Sequence, residues 1–240
     1  MTTLIAFVRA LWHKLFPQKP VVVAIHGFGV RRSIELAPLV SAFRSKGHRV
    51  ITPNLFDQTD ATDTDAAQWI ERAENAVATE IGAGHRVWLV GFSMGGVIAA
   101  HLASLYPVER LVLLAPAFDY VSTRLVKLKV QEIMDDLLNR TTPESEYPPL
   151  PDSFKAVFQT VVARCGPSVA KVTCPVLLLH GTEDEVIPVR SSEGAYAKIP
   201  HDRKRLFILK GVQHRILDSS INADVLMLIH NFFTGKLLGQ

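Results

Sequence analysis

A pentapeptide with a serine at its centre is the first feature of this sequence that could carry chemistry. Gly91-Phe92-Ser93-Met94-Gly95 follows the apolar run VWLV and precedes GGVIAAHLASL, whose small residues suit a helix packed closely on a sheet. Flanking glycines leave room for a sharp strand-to-helix turn that exposes the central hydroxyl. The helix N-terminus would favour a developing anion there. The pattern predicts Ser93 as a nucleophile; the competing interpretation is a glycine-rich turn with an incidental serine.

A serine hydroxyl needs a general base, and histidine has the pKa that suits this task near neutral pH. Of nine histidines, His214 lies in KGVQHRIL, directly after the last apolar strand pattern. A loop there would reach the same carboxyl edge of a parallel sheet as Ser93. His26 and His180 end strand patterns and are expected to shape turns or the floor of the site. The remaining histidines fall on helical faces or connections, where a surface position is the default.

A carboxylate must then hold the imidazole in the right tautomer and stabilise its protonated form. The segment HGTEDEVIP follows the penultimate strand pattern and offers Glu183, Asp184 and Glu185. We predict that Asp184 takes this role.

The oxyanion of an acyl-transfer intermediate needs hydrogen-bond donors. His26-Gly27-Phe28-Gly29 directly follows the first strand pattern and can aim a backbone N–H into the site. The predicted donors are the backbone N–H groups of Phe28 and Met94. The alternative for HGFG is a simple strand-to-helix turn.

Short β-branched runs alternate with amphipathic stretches from Val21 onward, which predicts an α/β fold with a mostly parallel sheet flanked by helices. In a chain of 240 residues we expect one domain, residues 1–240. The six predicted strands end near or centre on His26, Val50, Gly91, Ala115, His180 and Lys210. The predicted helices run over Leu36–Lys46, Ala66–Ile81, Met94–Leu105, Ser191–Lys198 and Ser219–Phe233.

Residues 118–172 break this alternation and form a candidate cap or lid. VSTRLVKLKVQEIMDDLLN and FKAVFQTVVARC are helical by pattern, with a proline-rich loop between them. Apolar residues such as Leu125 and Phe158 would contact an apolar substrate, together with Gly27, Phe28 and Val186, or would simply pack on the core. An ordinary structural excursion is the alternative to a lid.

Residues 1–16 are apolar but match neither a signal peptide nor a membrane span, because Arg9, His13 and Lys14 interrupt them and no cleavage site follows. Their apolar residues share one helical face, and Pro17 would stop the helix. We expect an amphipathic helix packed on its own domain; a peripheral membrane anchor or a substrate-entrance flap are the alternatives.

The composition of the chain indicates which kinds of partner and cofactor to expect. A net charge of +3 arises from 26 basic and 23 acidic residues without basic runs, so no nucleic-acid partner is expected. Two cysteines, Cys165 and Cys174, match no zinc or redox spacing. We therefore expect reduced thiols in a cytoplasmic protein with no metal and no cofactor.

Together the motifs HGFG (26–29), GFSMGG (91–96), HGTEDEVIP (180–188) and VQHRILD (212–218) make the chain resemble the α/β-hydrolase superfamily over nearly its whole length. Within it, the chain resembles small carboxylesterases and monoacylglycerol lipase-like members. The order Ser93, Asp184, His214 is that of this superfamily. The resemblance implies a nucleophile, acid and base at these residues, a substrate-binding cap in the insertion, and no cofactor.

Two departures from the family pattern stand out. Only twenty residues precede HGFG's strand, so the antiparallel strands that usually open the fold are expected to be absent or replaced by the N-terminal helix, shortening the sheet. After the second strand, many relatives carry Asp-x-Arg-Gly-x-Gly, whereas this chain reads NLFDQTDATDTD. We expect a solvated acidic loop that caps the next helix, in preference to a cation site.

The expected reaction is hydrolysis of a small-molecule carboxylic ester through an acyl-enzyme. Fold and triad also serve thioesterases, peptidases, acyltransferases and C–C hydrolases, so these stay open. A non-catalytic binding protein on this fold would be expected to lose part of the triad, which this chain keeps.

Overall fold

Six parallel strands form one sheet in the computed structural model, which describes residues 18–29, 32–119 and 150–237. The strands are β1 Val21–Ile25, β2 Val50–Ile51, β3 Val87–Phe92, β4 Arg110–Leu114, β5 Val176–Gly181 and β6 Lys204–Leu209. Their order in the sheet is β2-β1-β3-β4-β5-β6, and every neighbouring pair is parallel. The predicted α/β class and all six predicted strands are confirmed.

Helices cover both faces of this sheet. Successive strand residues point to opposite faces, and in β1 the side chains of Val23 and Ile25 belong to one buried cluster while Val22 and Ala24 belong to the other. The helices are α1 Ala37–Ser45, α2 Ala66–Gly82, α3 Met94–Leu105, α4 Ser153–Cys165, α5 Arg190–Lys198 and α6 Asn222–Phe233. Residues of α2, α3, α4 and α5 pack in the cluster that contains Val23, and residues of α1 and α6 pack in the other cluster.

The helix and strand ends differ from the predictions mainly next to prolines. Strand β2 has only two residues, since Pro53 has no N–H to donate to a ladder and the chain leaves the sheet there. Pro38 lies in the first turn of α1, and the residues before it form a short 3-10 helix, Arg32–Leu36. Another 3-10 helix, Ile216–Asp218, precedes α6, which therefore begins later than predicted.

The second helical pattern of the predicted cap is α4, followed by the 3-10 helix Gly166–Lys171. Helix α4 packs against α2 and α3. The first cap pattern and the predicted N-terminal helix, residues 1–16, lie outside the described residues. Within the described ranges, no helix has both the length and the apolar character needed to cross a bilayer.

The strand order places a topological switch point beside β1, because the chain runs from β1 to β2 on one side and returns to β3 on the other. In open parallel sheets the crevice at such a point, outside the carboxyl ends of the strands, is where ligands bind. The two loops that meet there follow β1 and β3, and they carry HGFG and GFSMGG.

The core on the α1 and α6 side depends on an aromatic stack that is remote from this crevice. The rings of Trp88 and Phe233 lie 4.7 Å apart and only 4° from parallel, and Phe43 meets Phe233 edge-on at 5.7 Å. Phe233 is 1% exposed.

We predict that Phe233→Ala lowers the free energy of unfolding by about 3–5 kcal/mol, because it removes buried aromatic area and leaves a cavity. The matched control is Met227→Ala on the same helix, where the side chain is 58% exposed; its effect is expected within about 0.5 kcal/mol. Urea denaturation measures both. A loss below about 1 kcal/mol in Phe233→Ala would contradict this account of the core.

Candidate active site

Ser93 occupies a strained turn between β3 and α3. Its φ of 53° lies in the left-handed region, which a residue with a Cβ adopts only when its surroundings impose it. The Ser93 N–H donates to the carbonyl of Leu114 at 2.9 Å, and the N–H of Ala117 donates to the Ser93 carbonyl at 3.1 Å. The turn is therefore held on both sides of its strained residue by the end of β4 and the loop after it.

Glycines make this turn sterically possible. A Cβ at Gly95 would lie 2.3 Å from the Ile25 carbonyl oxygen, and one at Gly91 would lie 2.3 Å from the Gly95 carbonyl oxygen. Such distances are far inside van der Waals contact, so neither position accepts a larger residue without a backbone shift. Helix α3 thereby starts directly against the end of β1, with Ser93 as the residue before its first turn.

The HGFG loop lies next to Ser93. A Cβ at Gly27 would come 3.2 Å from the Ser93 Cβ and 3.0 Å from the Phe92 ring. The buried His26 imidazole fixes this loop, because its Nε2 accepts a 3.1 Å hydrogen bond from the Leu55 N–H and leaves Nδ1–H to donate to the Gly27 carbonyl at 2.7 Å. The predicted oxyanion donors, the N–H groups of Phe28 and Met94, therefore belong to a braced loop and to the first residue of α3.

The acidic loop after β2 is only partly solvated, contrary to the expectation. Asp57, Asp60 and Asp65 are exposed, and the Asp65 carboxylate caps α2 by accepting the Ala67 N–H at 2.7 Å.

Asp63, in contrast, is 8% exposed. Its carboxylate accepts hydrogen bonds from the Asp57 N–H at 2.7 Å, the Trp69 Nε1–H at 3.2 Å and the Arg72 guanidinium at 2.5 Å. Arg72 also binds the Leu55 carbonyl at 2.8 Å. The partly exposed Arg72 guanidinium thus pairs with a buried carboxylate, and the loop that braces His26 is tied to α2. The described residues contain no cluster of three or more His, Cys, Asp or Glu placed to hold a metal ion.

Asp184 and His214, predicted from separate motifs, are in direct contact. The His214 Nδ1–H donates to Asp184 Oδ2 at 2.8 Å, and the Asp184 side chain is fully buried. The imidazole lies against the ring of Phe92, the residue before Ser93, with ring centroids 4.9 Å apart. Of the other two acidic candidates, Glu185 accepts the His214 backbone N–H at 3.1 Å, while Glu183 is exposed.

The Asp184 carboxylate has four hydrogen-bond donors. Oδ1 accepts the backbone N–H groups of Val186 at 2.9 Å and Ile187 at 2.7 Å, and Oδ2 accepts His180 Nε2 at 3.1 Å besides His214. Burial by itself raises the pKa of Asp184, but the hydrogen bonds from His180, His214 and Ile187 outweigh it and hold that pKa well below the ordinary carboxyl value. The carboxylate is ionised at neutral pH.

Phe28 and Phe158, two of the predicted substrate contacts, pack on each other with ring centroids 5.2 Å apart. Phe28 also lies 6.2 Å from the Trp69 ring and is only partly buried, whereas Phe158 is 2% exposed. Val186, two residues after Asp184, is buried. Leu125 lies outside the described residues. The described part of the predicted cap thus packs on the HGFG loop, with Phe158 buried in the core.

Two contacts at this site were not predicted from the sequence. His180 was expected only as a floor residue, yet it binds the same Asp184 oxygen as His214. The Glu185 bond to the His214 backbone was also missed. Each depends on how the turn after β5 folds back, for which no periodic signal exists.

The chain is similar to known proteins in sequence and in fold. Residues 22–225 match the alpha/beta hydrolase family. The chain is 23% identical over 206 residues to a thermostable monoacylglycerol lipase from Bacillus sp. (strain H-257), covering 80% of this chain and 82% of that protein. It is 26% identical over 237 residues to the mitochondrial palmitoyl-protein thioesterase ABHD10 of Rattus norvegicus, covering 91% of this chain and 75% of that protein.

Among solved structures, one from LipS and LipT, two metagenome-derived lipolytic enzymes, has a TM-score of 0.73 and 21% identity over 91% of this chain and 94% of that chain. This likeness concerns the fold. The chain is an α/β protein whose parallel sheet carries a strained serine turn at its switch point. Since the family match extends over residues 22–225, the chain belongs to the alpha/beta hydrolase family.

We predict that Gly95→Ala displaces the serine turn and lowers the free energy of unfolding by at least about 2 kcal/mol, because its Cβ would overlap the end of β1. The control is Gly82→Ala, where a Cβ meets nothing within 4 Å; it should leave stability unchanged or raise it by up to about 1 kcal/mol. Equal stability of the two variants in urea denaturation would refute the close contact.

The Asp184 carboxylate should make stability depend on acid. Because its folded-state pKa lies below the ordinary value of 3.8, its stabilisation is complete above that value and is lost as the pH falls through the folded-state pKa. Wild type should exceed Asp184→Asn in unfolding free energy at neutral pH, and the gap should narrow on acidification below about pH 4.

Urea denaturation across this pH range measures the gap. Asp152→Asn is the control, since the Asp152 side chain is 95% exposed and no comparable gap is expected. A gap for Asp184→Asn that stays constant down to about pH 2 would show that the carboxylate is not held in its charged form.

Proposed function

We propose that this chain is a serine hydrolase that cleaves small carboxylic esters through Ser93, His214 and Asp184. The observation that carries the proposal is the His214–Asp184 hydrogen bond of 2.8 Å, made by an imidazole that packs on Phe92 beside the strained Ser93 turn. A carboxylate at Nδ1 leaves Nε2 as the atom that accepts a proton. That is the arrangement which activates a serine hydroxyl.

In the proposed reaction, Ser93 Oγ attacks the ester carbonyl carbon while its proton passes to His214 Nε2. The carbon–oxygen bond to the alcohol breaks, and the alcohol leaves with that proton. Water then attacks the acyl-enzyme, giving its proton to His214, and the carboxylic acid is released as Ser93 recovers its own. Asp184 stays ionised throughout and stabilises the imidazolium.

The oxyanion would be held by the backbone N–H groups of Phe28 and Met94. Three features support this assignment: the 2.7 Å bond that fixes Gly27 through His26, the closeness of Gly27 to Ser93, and the start of α3 at Met94. The positive end of α3 adds a favourable field at the same place.

The substrate is proposed to carry a short to medium acyl group or a monoacylglycerol-like structure. Support comes from Phe28, a partly exposed aromatic residue directly after Gly27 in the loop beside Ser93, which favours an apolar group. The bacterial relative is a monoacylglycerol lipase, which agrees with this choice.

Thioester hydrolysis is the second candidate, because the rat relative that aligns over 91% of this chain is a palmitoyl-protein thioesterase. Both bonds pass through the same acyl-enzyme, so only the leaving group distinguishes them. Rates on an ester and a thioester with the same acyl chain separate the two.

We expect the wild type to hydrolyse p-nitrophenyl esters in a series from acetate to palmitate, with an optimum that sizes the acyl pocket. Ser93→Ala should lose at least about a thousandfold in kcat/KM, because the nucleophile is removed. Ser41→Ala, at an exposed position on α1, is the matched control and should keep full activity. Absence of wild-type turnover on every ester, or activity surviving in Ser93→Ala, would refute the proposal.

A further inference from the structure

His180 is buried, lies at the carboxyl end of β5 and takes no part in the reaction as described. It is 0% exposed, and both of its ring nitrogens have polar partners. Nε2 lies 3.1 Å from Asp184 Oδ2 and 2.9 Å from the Ile187 carbonyl. Because both of these atoms can only accept, Nε2 must carry the proton and share it between them.

The other nitrogen of His180 has a dedicated partner. Nδ1 lies 2.7 Å from the hydroxyl of Ser192, which is 0% exposed in the first turn of α5. With the proton of a neutral imidazole on Nε2, Nδ1 accepts and the Ser192 hydroxyl donates. Ser192 therefore satisfies the acceptor nitrogen of the tautomer that points an N–H at Asp184.

The result is a continuous chain from α5 to the candidate base. The Ser192 hydroxyl donates to His180, His180 donates to Asp184 Oδ2, and His214 donates to that same oxygen at 2.8 Å. The other oxygen, Oδ1, is anchored separately by the Val186 and Ile187 N–H groups. Two imidazoles thus share Oδ2, the carboxylate oxygen that these backbone groups do not bind.

We propose that His180, oriented by Ser192, is a positioning residue that restrains Asp184 Oδ2 and limits how strongly Asp184 holds the protonated form of His214. This inference rests on the proposed function of Ser93, His214 and Asp184. Without the His180 donor, Oδ2 would interact with His214 alone. The imidazolium of His214 would then be favoured, and the free base would be available only at higher pH.

Other ionisable groups near this arrangement have partners of their own. Among the described residues, Glu185 uses its carboxylate on the His214 backbone N–H, and Arg215, the next residue, is paired with Asp218. These groups are retained in the variants below, so a change in pH dependence reports on His180.

The test compares kcat/KM against pH for wild type, His180→Leu and His180→Gln. In His180→Leu the acid limb of the kcat/KM profile should move to higher pH by roughly half a unit or more, because the Asp184 carboxylate loses one donor. The alkaline plateau should change much less. His180→Gln places an amide N–H near the position of Nε2 and should return the limb towards its wild-type position.

Ser192→Ala should move the limb in the same direction as His180→Leu but less far, since His180 stays in place. This milder variant keeps the proposal testable if His180→Leu does not fold. His201→Leu, in the connection before β6 and so at the amino ends of the strands, is the matched control and should leave the limb unmoved. An unmoved limb in both His180→Leu and Ser192→Ala would overturn the proposal, as would a fall of the plateau alone.

A second readout does not depend on activity. The Nδ1–H proton of His214, observed by NMR in the Ser93→Ala background, should move downfield when His180→Leu is added, because its bond to Oδ2 strengthens. No movement would overturn the role of His180 even in an active enzyme. A wild type that hydrolyses no ester but shows this movement would instead refute the proposed function and leave the hydrogen-bond chain intact.

Discussion

The left-handed backbone at Ser93 is the constraint on which the rest of the site depends. A residue with a side chain adopts φ near 53° only at a cost, so neighbouring structure must impose it. Here Leu114 at the end of β4 and Ala117 in the loop after it bind the turn. Gly91 and Gly95 let α3 start directly against β1. The same close approach brings the HGFG loop next to the serine. Sheet order, small residues and strain are therefore parts of one arrangement.

A second constraint is the burial of the Asp184 carboxylate. Removing a charge from water is costly unless every acceptor position is satisfied, and four donors satisfy this one. Those donors come from the turn after β5, from β5 itself and from the loop after β6. Gly181 allows these segments to meet, because a Cβ there would lie 1.9 Å from the Val212 carbonyl oxygen. The position of His214 thus follows from how one buried charge is accommodated.

The sequence predicted these features unevenly, for physical reasons. Parallel strands buried on both faces are continuous apolar runs, so β1, β3, β4 and β5 were evident, and even the half-exposed β6 was found. Ser93, Asp184 and His214 follow strands within short motifs, which is why three separated residues could be proposed together.

The burial of Asp63 and of Ser192, the partner of His180, could not be predicted from the sequence. Asp63 lies in a run of acidic and hydroxyl residues that is typical of a solvent-exposed loop. Its carboxylate is nevertheless buried, because it accepts hydrogen bonds from Arg72 and Trp69, one helical turn apart on α2. Ser192 lies in a polar helix sequence, RSSEGAYAK, and is fully buried because its hydroxyl meets His180. In each case burial follows from a polar partner on a neighbouring element of the chain and not from hydrophobic periodicity. Arg72, which holds Asp63, also binds the Leu55 carbonyl, and the Leu55 N–H binds His26. His180 lies 3.1 Å from Asp184 Oδ2. The residues hardest to predict are therefore those that hold the groups around the proposed site in place.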